Sequence, residues 1–300
     1  MFKKVLVPLD GSHFAESALP LALDVARRAG GRIRLMIVRE LDPQVGYELW
    51  TPLADEWSQT YLEGVAESLE GEAEPDVTTL VATGHVPESI EAAADEWGAD
   101  LVVLASHGRG GLSRAWLGSV TDAFVRHSSR PVMVVRPPEE EVERDAPEGG
   151  IRRILIAVDG SALAEKIILP AKEVGALFGS SFHLVRVVPF PRAPTSSYIP
   201  HAAEMNRERV SEAEEEAQAY LDGLTGQLVE EGLETSSAAV VTSQAARGIL
   251  AEAAAVECDL IAMATHGRGA LRRTFLGSTT DKVLRATDRS VLLIHPMHVE

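Results

Sequence analysis

Short apolar runs recur along the chain, separated by stretches with a helical period. In the first half they fall at 4–9, 32–39, 77–82, 100–105 and 131–135, and they are β-branched and nearly continuous. Runs of that kind suit parallel strands buried on both faces. Between them, apolar positions near 15–29, 54–70, 87–97 and 119–128 recur at helical spacing. The second half repeats the order, with strands near 153–158, 181–188, 234–241, 259–264 and 290–294 and a long second helix near 203–231. That helix carries Glu212, Glu214, Glu215 and Glu216, a solvated face because three consecutive acids cannot share one pocket. The alternation predicts an α/β fold: two doubly wound, five-stranded parallel-sheet domains with right-handed crossovers. Ligands of such sheets sit beyond the carboxyl ends of the strands, where strand order reverses.

The halves are copies. Val5-Leu-Val-Pro-Leu-Asp-Gly-Ser12 returns 149 residues later as Ile154-Leu-Ile-Ala-Val-Asp-Gly-Ser161. Ala99-Asp-Leu-Val-Val-Leu-Ala-Ser-His-Gly-Arg-Gly-Gly111 returns 159 residues later as Cys258-Asp-Leu-Ile-Ala-Met-Ala-Thr-His-Gly-Arg-Gly-Ala270. A period this long means duplicated domains rather than a solenoid. The segment 138–150, rich in acids with Pro at one end and Gly at the other, reads as a linker between domains 1–137 and 151–300.

Composition narrows the function. A net charge of −17 argues against bulk nucleic-acid binding. One Cys excludes a disulfide framework and a cysteine-built zinc site, and Cys258, matching Ala99, reads as a small buried residue. No apolar run approaches the ~20 residues of a membrane span, so no membrane partner is expected, and the expected compartment is the cytoplasm.

Against that acidic background, two segments at strand carboxyl ends are basic. Residues 101–121 hold Arg109 and Arg114 and no acid; residues 260–280 hold Arg268, Arg272 and Arg273 and no acid. Both are glycine-rich and run into a helix. Glycines let backbone N–H groups approach a phosphate, and a helix start adds unpaired donors, so an anionic ligand is expected. Ser119-Val-Thr-Asp122 and Ser278-Thr-Thr-Asp281 also read as capping boxes that would start a helix without any ligand. Asp10-Gly-Ser12 and Asp159-Gly-Ser161 follow the first strand of each half and read as turn and cap formers. His107 and His266 have no carboxylate nearby in sequence and read as packing groups rather than general bases. No P-loop, no Gly-x-Gly-x-x-Gly, no His-Glu-x-x-His and no Gly-x-Ser-x-Gly occurs.

These residues resemble those of tandem universal stress proteins, whose ATP-binding members carry Gly-x2-Gly-x9-Gly-Ser/Thr. Here the signature runs from Ala105-Ser-His-Gly108 through nine residues to Gly118-Ser119, and from Ala264-Thr-His-Gly267 to Gly277-Ser278. Alanine replaces the first glycine in both copies. The resemblance implies a fold of the adenine-nucleotide alpha-hydrolase type, with the two domains related by a pseudo-two-fold. It also implies ATP, accompanied by Mg or Mn. Asp10 and Asp159 would hydrogen-bond adenine, Pro8 would line that pocket, and Val38 and Val187 would meet the adenine edge through their backbones. Ala105, Ser106, His107, Gly108, Arg109, Gly110 and Gly111 would wrap ribose and phosphates. So would Ala264, Thr265, His266, Gly267, Arg268, Gly269 and Ala270. Gly118 with Ser119, Val120 and Thr121, and Gly277 with Ser278, Thr279 and Thr280, would close on the phosphates.

The resemblance further implies that the halves pair through their last strands, 131–135 and 290–294. A homodimer and an unidentified protein partner are left open by the sequence. The expected role is a nucleotide-responsive stress regulator. A nucleotide-independent dimeric interaction protein and a slow ATPase are the alternatives. The first copy is expected to bind more tightly, from Pro8, Gly84 and Pro87 against Ala157, Ser243 and Ala246.

Overall fold

The structure, a computed structural model, describes residues 2–40, 47–69, 75–106, 117–136, 150–190, 202–265 and 276–295. The first half runs β1 (Lys4–Leu9), α1 (His13–Glu16), α2 (Leu19–Ala29), β2 (Arg32–Arg39), α3 (Tyr47–Ser68), β3 (Asp76–Thr83), α4 (Val86–Trp97), β4 (Leu101–Ala105), α5 (Ser119–His127) and β5 (Val132–Val135). The second half repeats it as β6 (Arg153–Ala157), α6 (Ala162–Glu165), α7 (Ile168–Phe178), β7 (Ser181–Pro189), α8 (Ala202–Glu230), β8 (Thr235–Thr242), α9 (Ala245–Ala255), β9 (Leu260–Ala264), α10 (Ser278–Ala286) and β10 (Ser290–Ile294). Of the interdomain segment only Gly150 belongs to the described residues; it has φ +77 and leaves no room for a Cβ beside the Phe178 ring.

All ten strands form one sheet in the order β3-β2-β1-β4-β5-β10-β9-β6-β7-β8. Read from its middle, the order is the same in both directions, which is the pseudo-two-fold. Within each half the pairing is parallel. At the centre β10 meets β5 antiparallel, with Val291 opposite Val134 and Leu293 opposite Val132. The strands of the two halves therefore point in opposite directions, and their carboxyl ends emerge at opposite edges of the sheet.

Burial on both faces explains the continuous apolar runs. One face packs Leu19, Val25, Leu62, Val174 and Leu221 from α2, α3, α7 and α8. The other packs Ile90, Phe124, Ile249 and Val283 from α4, α5, α9 and α10. Across the centre, Arg28 of α2 donates to the Leu177 carbonyl of α7 at 3.3 Å and lies over the Phe178 ring. Glu212, Glu214, Glu215 and Glu216 are exposed on α8.

Two expectations change in detail. The helix expected over 15–29 is two pieces, because Pro20 has no N–H to donate to the Glu16 carbonyl and the ladder restarts at Leu19. The capping boxes do not form. Ser119 and Ser278 are the first helical residues, and the cap positions are Gly118 and Gly277, without a side-chain cap. Asp122 and Asp281 bond instead to Arg126 at 2.7 Å and Arg285 at 2.9 Å, one turn on.

Candidate functional site

At the end of β1, Asp10 Oδ1 accepts from the Ser12 backbone N–H at 2.9 Å and from the Ser12 hydroxyl at 2.6 Å. The Ser12 Oγ then accepts from Ala15 N–H at 3.2 Å and caps α1. Asp159, Ser161 and Ala164 repeat this at 3.0, 2.6 and 3.2 Å. The turn reading of these motifs therefore holds, and it fixes each carboxylate at the strand's carboxyl end. A clasp that the sequence analysis did not single out supports it: Tyr61 of α3 donates to Glu16 at 2.8 Å, and Tyr220 of α8 donates to Glu165 at 2.7 Å.

Pro8 is half-buried beside Met36 on the neighbouring strand. Val38 and Val187 are half-buried at the carboxyl ends of β2 and β7, opposite Ala82 and Val240. After β4, the buried Ser106 presents its carbonyl to the Gly118 N–H at 2.8 Å, and Thr121 Oγ1 donates to the Ala105 carbonyl at 2.9 Å. Thr265 and Gly277 make the same contact at 2.8 Å, and Thr280 donates to the Ala264 carbonyl at 3.1 Å. In each half two bonds draw a helix start against the end of a strand. Gly277 is required there: a Cβ would stand 2.6 Å from the Thr265 carbonyl oxygen.

Those helix starts carry no side-chain cap. The first bonds along α5 and α10 run from Asp122 N–H to the Gly118 carbonyl and from Asp281 N–H to the Gly277 carbonyl. The N–H groups of Ser119, Val120 and Thr121, and of Ser278, Thr279 and Thr280, precede them and have no acceptor within their own helix. Together with the helix dipole they suit a negatively charged oxygen. The starts of α1 and α6 are capped by serine, while α2, α4, α7 and α9 also lack a side-chain cap; what sets α5 and α10 apart is the cap glycine bonded to the end of a strand.

The alanines that replace the first glycine of the signature are buried. Ala264 belongs to the same apolar cluster as Leu260 and Ala262, and strand alternation puts Ala105 on the face of Leu101 and Val103. Their methyl groups are taken up by the core.

His107, Gly108, Arg109, Gly110 and Gly111, and His266, Gly267, Arg268, Gly269 and Ala270, lie outside the described residues. So do Arg114, Arg272 and Arg273. The copies differ after the third strand. Gly84 has φ +146 and its N–H donates to the Arg39 carbonyl at 3.0 Å, whereas Ser243 replaces it in the second half.

Two buried groups lie away from the strand ends; His183 is not marked by the sequence, whereas Cys258 is expected to be a small buried residue and is. His183 of β7 is buried, with Nδ1 2.8 Å from Ser236 Oγ and Nε2 3.0 Å from Glu252 Oε1; burial lowers its pKa below the usual histidine value, against the pull of Glu252. It lies toward the amino end of its strand, far from the candidate ligand. Cys258 is fully buried, and burial pushes its thiol up to about 11.

With this geometry the chain compares as follows. The Universal stress protein family model matches residues 1–136 and again 150–295. A universal stress protein of Methanocaldococcus jannaschii is 30% identical over 147 residues, 47% of this chain and 86% of that protein. One from Staphylococcus haemolyticus is 31% identical over 150 residues, 48% of this chain and 89% of that protein. The crystal structure of a universal stress protein from Archaeoglobus fulgidus superposes with a TM-score of 0.74 at 20% identity, covering 99% of both chains. That likeness carries the fold. No described helix is long and apolar enough to cross a membrane.

Proposed function

The chain belongs to the universal stress protein family, and on that premise we propose that each half binds ATP at the carboxyl end of its sheet and that the chain acts as a nucleotide-responsive stress regulator. The observation that carries this reading is the pair of uncapped helix starts, α5 and α10, each drawn onto a strand end behind a glycine. In water such donors are ordinarily satisfied by Ser, Thr, Asp or Asn at the cap. Glycine in both copies leaves them for a ligand. The donor set fits a polyphosphate: three backbone N–H groups per helix start, the exposed hydroxyl of Ser119 or Ser278, and the arginines of the adjoining glycine-rich segments.

When bound, ATP supplies a planar base and a chain of negative charge, with Mg or Mn entering on its phosphate oxygens. Asp10 and Asp159, held in place by Ser12 and Ser161, would receive the adenine. Val38 and Val187 would meet its edge through backbone groups, with Pro8 below it in the first half. Ala105 and Ala264 are buried, and in this reading their methyl groups leave room for the nucleotide. Regulation follows if nucleotide favours one of two states of the partner surface, which requires different affinities in the two. In this reading the protein works in the cytoplasm, the joined halves form its functional unit, and a homodimer or protein partner reads the nucleotide state.

The test is thermal unfolding with ATP·Mg, GTP·Mg and adenosine. A ligand at about 100 times its Kd stabilises by about 2.7 kcal/mol, which raises Tm by several degrees in a domain of this size. A rise with ATP and little with GTP is expected. No shift with any adenine compound overturns the proposal and leaves a nucleotide-independent interaction protein.

A further inference from the structure

We propose that Arg136 couples the two nucleotide sites, acting as a positioning residue of the first while clamping the last turn of α10, whose first turn builds the second. This rests on the ATP reading above. Arg136 directly follows β5, and because β5 and β10 are antiparallel, that end of the first half abuts the start of β10 and the end of α10. Its Nη1 lies 3.4 Å from Ser106 Oγ, the residue whose carbonyl holds the α5 start. Its Nη2 donates to the Leu284 carbonyl in the last turn of α10. Carbonyls of a last turn lack donor partners within the helix and sit at the negative end of its dipole, so a guanidinium there is a cap supplied by the other half.

A second strut joins the same parts. Asp122, in the first turn of α5, is held by Arg126 on its own helix at 2.7 Å and lies 3.7 Å from Nη2 of Arg285, the residue after Leu284. Arg285 in turn bonds Asp281 in the first turn of α10 at 2.9 Å. The end of α10 thus touches both components of the first site, Ser106 through Arg136 and α5 through Asp122. A nine-residue helix is about 13 Å long and moves as one rod. Its far end carries Gly277 and Thr280, bonded to Thr265 and Ala264.

The chemistry sets the sign. Arg136 is half-buried, and burial lowers its pKa while Asp288 opposes that shift. A guanidinium in that position gains more from an anion than from a neutral carbonyl, since a charge-assisted hydrogen bond is roughly twice as strong. Phosphate at the α5 start draws Arg136 toward Ser106 and releases Leu284. The α10 rod loses its clamp and its first turn is held less firmly for a second nucleotide. The second half has His295 at the matching position, shorter and without permanent charge, so the clamp runs from the first half to the second.

The test is ATP·Mg calorimetry on the full chain, with Gly118→Val or Gly277→Val used to isolate each site. Second-site affinity in wild type, with the first site filled, is expected to be weaker than in Gly118→Val, by about fivefold or more. Arg136→Gln is expected to remove that ratio, and Arg136→Lys, which keeps charge but loses the fork, to retain part of it. Amide exchange gives a separate readout: the last turn of α10 exchanges faster on ATP addition in wild type and is already fast, and unresponsive, in Arg136→Gln. Two sites that bind independently in wild type, or a ratio unchanged by Arg136→Gln, overturn the coupling while leaving nucleotide binding intact. Absence of any ATP heat in wild type overturns the nucleotide reading itself, and the coupling with it.

Discussion

Replacing Gly277 by alanine isolates the contact on which the proposed second site depends. The backbone there, φ −55 and ψ 139, is open to any residue, so the effect is steric. The new Cβ would lie 2.6 Å from the Thr265 carbonyl oxygen and 3.7 Å from Thr280 Oγ1. Relief to an ordinary 3.4 Å contact needs a shift of about 0.8 Å. That shift takes the 2.8 Å bond between Gly277 N–H and Thr265 out of hydrogen-bonding range and strains the 3.1 Å bond from Thr280 to Ala264. One or two lost bonds at about 1 kcal/mol each, with an overpacking cost of about 1–3 kcal/mol, sum to about 2–5 kcal/mol. In thermal unfolding that corresponds to a fall in Tm of roughly 5–15 °C for the second half, and the ATP equivalent assigned to that half should disappear. Gly226→Ala is the control. It sits in α8 with nothing within 4 Å of its added Cβ, so it should stabilise by about 0.5–1 kcal/mol. If Gly277→Ala unfolds with the wild type and still binds two equivalents, the steric reasoning is wrong.

Other outcomes follow from the same geometry. Asp10→Ala removes the acceptor of both Ser12 bonds and is expected to cost about 1–2 kcal/mol of stability and to abolish first-site binding, read by calorimetry against Asp159→Ala. Because burial holds the His183 pKa below 6.5, the unfolded chain takes up a proton near pH 6.5 that the folded chain refuses. Stability is therefore full above that pH and falls as pH drops below 6.5; urea midpoints should show the slope in wild type and a flatter one in His183→Gln. Cys258, buried and pushed up to about 11, should resist a thiol reagent at pH 8 and react fully in denaturant, and fast labelling of the native chain would contradict its burial.

Much of this was legible along the chain because the determining contacts are local or periodic. Runs such as Leu101–Ala105 and Leu260–Ala264 are apolar on both faces because helices cover both faces, and that pattern pointed to parallel strands and to the edge at which the ligand is proposed. Asp10 and Ser12 are two residues apart, so their turn could be read directly. The capping residue was missed because Ser119 and Gly118 are both cap formers, and the bond that decides between them, Gly118 N–H to Ser106, spans the glycine-rich segment. Arg136 and Leu284 stand 148 positions apart, and His183 and Ser236 stand 53 apart. No local pattern marks either pair. They arise from sheet order and from the antiparallel seam between β5 and β10.

The most direct measurement of the central claim is calorimetric stoichiometry of ATP·Mg on nucleotide-stripped full-length chain, beside Gly118→Val and Gly277→Val. Two equivalents in the wild type, with one lost in each variant, is the expected result, because each glycine holds one helix start against one strand end. Heat that is absent in the wild type, or that persists in full when both glycines are replaced, would contradict it.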